Sequence, residues 1–360
     1  MTQGSDKLPP RGAARRKGSA SPSPGKPKKK KKNPVLRAVL GGLLAGVILV
    51  GAYFGYLAWK ADEAIGNIGE ETVDNIKIKP SESVKNKAVS MVLLGLDSRP
   101  KGGGMNTDVM MVAAFNPNTK SATVVSIPRD SLLVLDGYAD RKANAHYNAF
   151  YNQKLKELIK EGKSAKDAKV PAEADAKRAM SDMMGKYFGI ETKYTAVINF
   201  KGFTDVVDAL GGVEVDVDIR MKYKDTFDGT DIDLQKGRQL LDGDKALDFI
   251  RYRKSNDGKN MSSDFDRNKR ETEVIAAVVD KMKSVGGITK LGGVIEAVGD
   301  NLKINMPSSE IKNMMAAYFG INSSDVQFIS LEGNWKSPYV YLNEPKLAEA
   351  RAALQAKMAE

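Results

Sequence analysis

Residues 250–271, IRYRKSNDGKNMSSDFDRNKRE, interleave four arginines with four carboxylates. Arg251 and Arg253 alternate, which puts both side chains on one side of an extended segment, while Arg267 and Arg270 are three apart and share one face of a helix. Four planar, permanently charged guanidinium forks converging from two elements suit the oxygens of a multiply charged phosphate ligand. A surface helix with ion pairs is the plainer reading of the same residues. Matching charges recur upstream: Asp97, Arg99, Asp108, Arg129 and Lys142, with Asp264 just before Arg267. A bare aspartate repels a diphosphate unless a cation lies between them. Magnesium keeps one or two carboxylates and takes its other oxygens from phosphate and water, so Asp97 and Asp108 are candidate magnesium ligands of a bridged pyrophosphate site. The alternative is that these aspartates neutralise neighbouring arginines.

The elements that must carry these groups follow from hydrophobic pattern. Residues 89–96 form a nearly continuous apolar run that reads as a buried strand and delivers Asp97 and Arg99 at its end, where open α/β sheets place ligands. A glycine-rich loop at 101–104 follows. Residues 109–115 and 121–127 flank the turn Asn116-Pro117-Asn118 and predict a hairpin, whose return strand ends in Ser126-Ile127-Pro128-Arg129-Asp130. A helix is expected over 143–160, a solvated helical excursion over 157–177 and helix again over 179–188. Residues 194–200 read as a strand, 203–210 as a helix stopped by Gly211-Gly212, and 213–219 as a half-buried strand with its acids toward water. Residues 240–250 have helical period and feed the arginine segment. A long helix runs from 266 to 283, with helices near 289–299, 308–319 and 345–358 and strands near 326–331 and 339–342. No internal repeat is present.

Composition narrows the chemistry. The chain has 360 residues, no cysteine and a single histidine, His146. Disulfides, thiolate nucleophiles and multi-histidine zinc sites are excluded, and His146 is assigned to structure or to the substrate's edge. The net charge of +11 lies in residues 1–37, which carry 12 Lys and Arg and one acid. The remainder is neutral and makes no global electrostatic claim on nucleic acid. Residues 1–34 cannot bury enough apolar surface to offset chain entropy and are expected to be a disordered basic tail. Residues 38–59 hold 22 uncharged residues, with Tyr53, Tyr56 and Trp59 at one end, so 35–59 are expected to cross a membrane. The basic tail sets the N-terminus in the cytoplasm, with a polar stalk over 60–87 and a domain over 88–360 outside the cell membrane.

Several motifs, in order, resemble the LytR-CpsA-Psr family of cell-wall enzymes: LLGLDSR with Thr-Asp eleven residues after its aspartate, SIPRD, RKANAHYN, FKGFTDVVDALGGVEVDV, LDGDKALDFIRYR and SDFDRNKRE. The resemblance spans residues 88–285. It implies an α/β fold, three-layer α/β/α with a central mixed sheet, following one N-terminal transmembrane helix, with a polyprenyl-pyrophosphate lipid in an apolar cavity. It further implies transfer of a glycopolymer from that carrier to peptidoglycan through a phosphodiester bond, assisted by Mg2+. By position, Asp97 and Asp108 match the family's magnesium-binding aspartates; Arg129, Lys142, Arg251, Arg253 and Arg267 match its phosphate-contacting residues. Arg99 and Arg270 join the expected pyrophosphate set, and Asp97 or Asp264 is the expected base among the catalytic residues Asp97, Arg129, Asp264, Arg267 and Arg270. Two positions depart: Asn106 stands where the family often has arginine, and Glu271 where it has glutamine. A phosphatase or pyrophosphatase would use the same site with water as acceptor. A lipid-binding regulatory protein of the envelope would need the apolar cavity but not paired aspartates.

Overall fold

The computed structural model describes residues 62–63, 65–69, 77–97, 105–227, 229–284, 288–318 and 320–360. The expected basic tail, the membrane-crossing segment, Arg99 and the loop 101–104 lie outside the described residues. Among the described residues no helix is long and apolar enough to cross a membrane.

In chain order the strands are β1 (Val89–Leu96), β2 (Thr107–Asn116), β3 (Ser121–Ser126), β4 (Leu132–Leu133), β5 (Arg141–Lys142), β6 (Tyr194–Asn199), β7 (Val213–Val217), β8 (Met221–Lys224), β9 (Asp231–Leu234), β10 (Gly237–Leu241), β11 (Leu302–Ile304), β12 (Val326–Ser330), β13 (Gly333–Lys336) and β14 (Tyr339–Leu342). The helices are α1 (His146–Lys160), α2 (Ala165–Phe188), α3 (Phe200–Ala209), α4 (Gly243–Arg251), α5 (Asp264–Ser284), α6 (Ile288–Val298), α7 (Ser308–Tyr318) and α8 (Glu344–Ala359).

The central sheet has the order β11-β6-β1-β2-β3-β12 and is mixed: β1 runs parallel to β6 and β3 to β12, while β1-β2, β2-β3 and β6-β11 are antiparallel. Strand residues alternate between two faces, and both are apolar. Val92, Leu94, Met110, Val112 and Val125 pack with Tyr147, Met180 and Leu347 of α1, α2 and α8. Met91, Met111, Ala113 and Val124 pack on the other face with Ile295 and Ile311 of α6 and α7. This double burial explains why β1 reads as an unbroken apolar run rather than an alternating one.

The structure corrects four expectations. Residues 157–177 are helical on either side of 161–164 and largely exposed as far as 170, but they are no excursion, because α2 runs unbroken from Ala165 and buries Ala168, Ala172 and Ala176 at four-residue spacing, continuing into Met180 and Met184. An alanine stripe among lysines and acids carries little hydropathy signal, yet it allows close helix packing. Residues 240–250 are divided between β10 and α4, whose start is set by the Asp242 side chain accepting from the Lys245 N–H at 2.9 Å. Arg251 is therefore the last residue of a helix rather than part of an extended segment. Finally, the described parts of 60–87 pack against the domain: Ile65, Ile68 and Val84 are buried, and the buried Glu310 carboxylate accepts from Ser83 Oγ at 2.9 Å and the Val84 N–H at 2.8 Å.

Candidate active site

The charged residues meet at one end of the sheet. Asp97 leaves the end of β1, and Asp108 lies on β2, where a bulge at Gly95/Leu96 interrupts the ladder. Arg129 follows β3, and the Asn144 N–H donates to its carbonyl at 3.0 Å, which ties the segment after β5 to the same wall. Arg251 and Arg253 come from the end of α4, with the Arg251 guanidinium 5.1 Å over the Phe200 ring. Helix α5 begins at a fixed point, since Ser263 Oγ accepts from the Asp266 N–H at 3.1 Å while Asp266 accepts from the Ser263 N–H at 2.7 Å. Arg267 and Glu271, four apart, thereby share the stripe of α5 that faces the cleft.

Asp97, Asp108, Arg129, Arg251, Arg253, Arg267 and Glu271 line one cleft with a volume of about 630 Å³. Arg129 Nη1 donates to Asp108 Oδ1 at 2.5 Å, so Asp108 does neutralise an arginine. Arg267 is nearly buried and pairs with Asp264. Its guanidinium is pushed down to about 10, first by burial and then by the neighbouring charges of Arg253 and Arg129. Buried and crowded by like charges, Arg267 stays cationic at neutral pH, and such a group of cations suits a polyanion. Glu271 is as buried as Arg267. Burial pushes its carboxyl up to about 8 against the pull of Arg267, which favours the protonated form at neutral pH, a form able to donate a hydrogen bond as an amide would.

Three expected residues sit outside the cleft's lining. Lys142 is held by Asp130 at 2.8 Å, Asp264 is spent on Arg267, and Arg270 turns the other way. Arg270 Nε and Nη2 donate to the two Asp218 oxygens at 2.9 and 2.8 Å, and Nη1 donates to Ser262 Oγ at 2.8 Å. Burial raises the Asp218 carboxyl, but the Arg270 pair outweighs it and holds the group below its usual range. Arg270 thus clamps α5 to the end of β7 and to the loop after α4. The expected convergence of Arg267 with Arg270 fails because a buried guanidinium must find a carboxylate, and Asp218 lies on that side. Conversely, Tyr223, Asp225, Thr230 and Ile232 of the β8-β9 hairpin, with Asn144, Phe200 and Tyr252, line the cleft without having been expected. The strand-like alternation of residues 221–224 and the Asp-Gly dipeptide of the sequence at 228–229 were the available signal for the hairpin.

A second cavity of about 230 Å³ lies between the sheet and α3, α4 and α5, walled by Leu93, Met111, Ile198, Phe203, Val206, Leu247, Val274 and Val278. Its surface is almost wholly apolar. It shares Val109, Phe200, Ile250 and Glu271 with the cleft, so the two spaces adjoin at the buried carboxyl.

Among the described residues no group of three or more His, Asp or Glu is placed to hold a metal ion alone. Two carboxylates of hard oxygen donors, Asp97 and Asp108, fit magnesium only if the ligand's phosphate supplies further oxygens.

Residues 56–356 match the model of the LytR_cpsA_psr family. The chain belongs to the LytR-CpsA-Psr family. A relative from Bacillus subtilis strain 168, the polyisoprenyl-teichoic acid–peptidoglycan teichoic acid transferase TagT, is 31% identical over 350 residues, covering 91% of this chain and 96% of its own. Among solved structures, B. subtilis TagV superposes with a TM-score of 0.57 at 25% identity, over 76% of this chain and 98% of TagV. TagT bound to LIIa-WTA gives 0.54 at 26% identity, over 81% and 98%. The mixed α/β fold around a central mixed sheet is thus that of the LytR-CpsA-Psr family. Each of the LytR-CpsA-Psr motifs quoted from the sequence contributes at least one residue to the cleft's lining.

Proposed function

We propose that this chain is a transferase that moves a glycopolymer from a polyprenyl-pyrophosphate carrier to peptidoglycan through a phosphodiester bond. The single observation that carries the reading is the junction of an arginine-lined cleft with an apolar cavity, since such a pair of spaces fits one ligand bearing a polyanion and a hydrocarbon chain in series. The name of the relative TagT supports the same reaction class.

In the reaction a sugar hydroxyl of peptidoglycan attacks the phosphorus next to the glycan. An oxygen–phosphorus bond forms, the bond from that phosphorus to the bridging oxygen breaks, and polyprenyl phosphate leaves. Arg129, Arg251, Arg253 and Arg267 hold the phosphate oxygens and the charge that gathers on the leaving group. Neutral Glu271 donates a hydrogen bond where a carboxylate would repel. Asp97, on the cleft wall, is assigned to take the hydroxyl proton; Asp264, outside the lining, positions Arg267, as Arg270 positions α5. Asp97 and Asp108 would hold magnesium, which when bound would neutralise diphosphate charge. Residues 35–59 would anchor the chain in the cell membrane, with residues 1–34 cytoplasmic and residues 60–87 and the catalytic domain, residues 88–360, outside.

Equilibrium binding tests the two-part site. Polyprenyl pyrophosphate is expected to bind about 100-fold more tightly than inorganic pyrophosphate or the bare polyprenol, each of which fills only one space. Equal affinity for the lipid and for inorganic pyrophosphate would count against the reading.

A further inference from the structure

Outside the cleft, the β13-β14 hairpin carries an exposed tryptophan with no role in the site described above. Trp335 is 56% exposed, although its cross-strand partner Val340 is buried and donates its N–H to the Asp130 carbonyl at 2.9 Å. The hairpin is therefore fixed against the wall that bears Arg129. The indole lies 5.6 Å from Lys142 Nζ, that ammonium is 2.8 Å from Asp130 Oδ1, and Asp130 Oδ2 is 3.9 Å from Arg129 Nε. A flat aromatic face beside a cation thus leads step by step to the cleft. Such a face suits the C–H side of a sugar ring, with the neighbouring ammonium for its hydroxyl, acetamido and carboxylate groups.

We propose that Trp335, with Lys142, is a docking platform for the glycan strand of the peptidoglycan acceptor. The inference rests on the transferase reading above. It favours acceptor over carrier because attack at phosphorus runs roughly in line with departure. The leaving polyprenyl phosphate belongs to the apolar cavity, with which the platform shares no residue. The acceptor must therefore approach from another side, and the platform lies on the Arg129 wall. Lys142, a matched phosphate-contacting position that the structure leaves outside the cleft, acquires a task in this arrangement.

The chain has only two tryptophans, Trp59 and Trp335, so full-length W59F protein reports Trp335 alone. Muramyl-peptide oligosaccharide should shift and quench its emission saturably, while a teichoic-acid oligosaccharide at the same concentration should not. In transfer assays W335A should raise the acceptor KM about tenfold with carrier affinity unchanged, the ordinary scale for losing an aromatic anchor, and W335F should restore most of it. Emission indifferent to the muramyl oligosaccharide, a response to the teichoic saccharide alone, or an unchanged acceptor KM in W335A would overturn the platform. A saturable muramyl response in protein that transfers nothing would keep the platform and remove the transferase reading; transfer with silent Trp335 would do the reverse.

Discussion

Arg129 and Arg270 carry the same guanidinium into different surroundings, and their removal should separate catalysis from folding. Arg129 is partly exposed and faces the cleft, so R129A is expected to lower transfer about 100-fold or more while leaving the melting temperature nearly unchanged. Arg270 is buried on Asp218, so R270A should cost about 3 kcal/mol of stability. Parallel measurement of turnover and thermal unfolding checks the contrast, and equal losses in both quantities for R129A would refute its catalytic role. Glu271 yields a pH test. The folded state keeps its proton up to about pH 8, whereas the unfolded chain loses it near the ordinary value of 4.5. Between these values the native state binds more protons, so this group's contribution to stability falls as pH rises from about 4.5 to about 8. E271Q should accordingly unfold at a temperature about 2 °C or more above the parent at pH 8 and close to it at pH 4.5. A parent-like melting curve for E271Q at pH 8 would show that the carboxyl is not held neutral. The sequence exposed the presence of Arg270 and Glu271 but not their states. Asp218 stands 52 residues from Arg270 in an alternating strand pattern where an acid reads as water-facing, and the desolvation of Glu271 exists only once the sheet and α5 close over it.

At the scale of elements, the strand ends were legible because charge that follows an apolar run has few places to go except the edge of a sheet. The order Asp97, Asp108, Arg129 survives directly as the ends and starts of β1, β2 and β3. The expected strand at 339–342 is β14, but β8, β9 and β13 were harder to see, since four-residue strands carry too little pattern to stand out from loops. Helix α4 joins the two spaces, and its start leaves no room: a Cβ on Gly243 would lie 2.3 Å from the Thr204 carbonyl oxygen of α3. Gly243→Ala should force α4 away from α3, costing about 1–3 kcal/mol. Because α4 also bears Ile250 and Arg251, lipid affinity should weaken in the same variant. Denaturant unfolding together with polyprenyl-pyrophosphate binding measures both, and a variant unchanged in each would argue that α4 does not brace the apolar cavity.

Across the whole molecule, charge and apolar surface are sorted by position. The excess basicity sits in the N-terminal tail, the uncharged run follows it, and the domain beyond is electrically balanced except where its arginines gather at the cleft. That distribution explains why a formally basic chain needs no nucleic acid to account for it. The transferase account makes one demand that a phosphatase or a lipid-binding module does not: the product must depend on the acceptor. The decisive measurement is incubation of the protein with a polyprenyl-pyrophosphate-linked saccharide, with and without magnesium and a peptidoglycan oligosaccharide, followed by mass spectrometry. The account predicts a phosphate-linked saccharide on the oligosaccharide together with released polyprenyl monophosphate, both requiring magnesium. Cleavage of the carrier at the same rate without the oligosaccharide, or intact carrier under every condition, would contradict it.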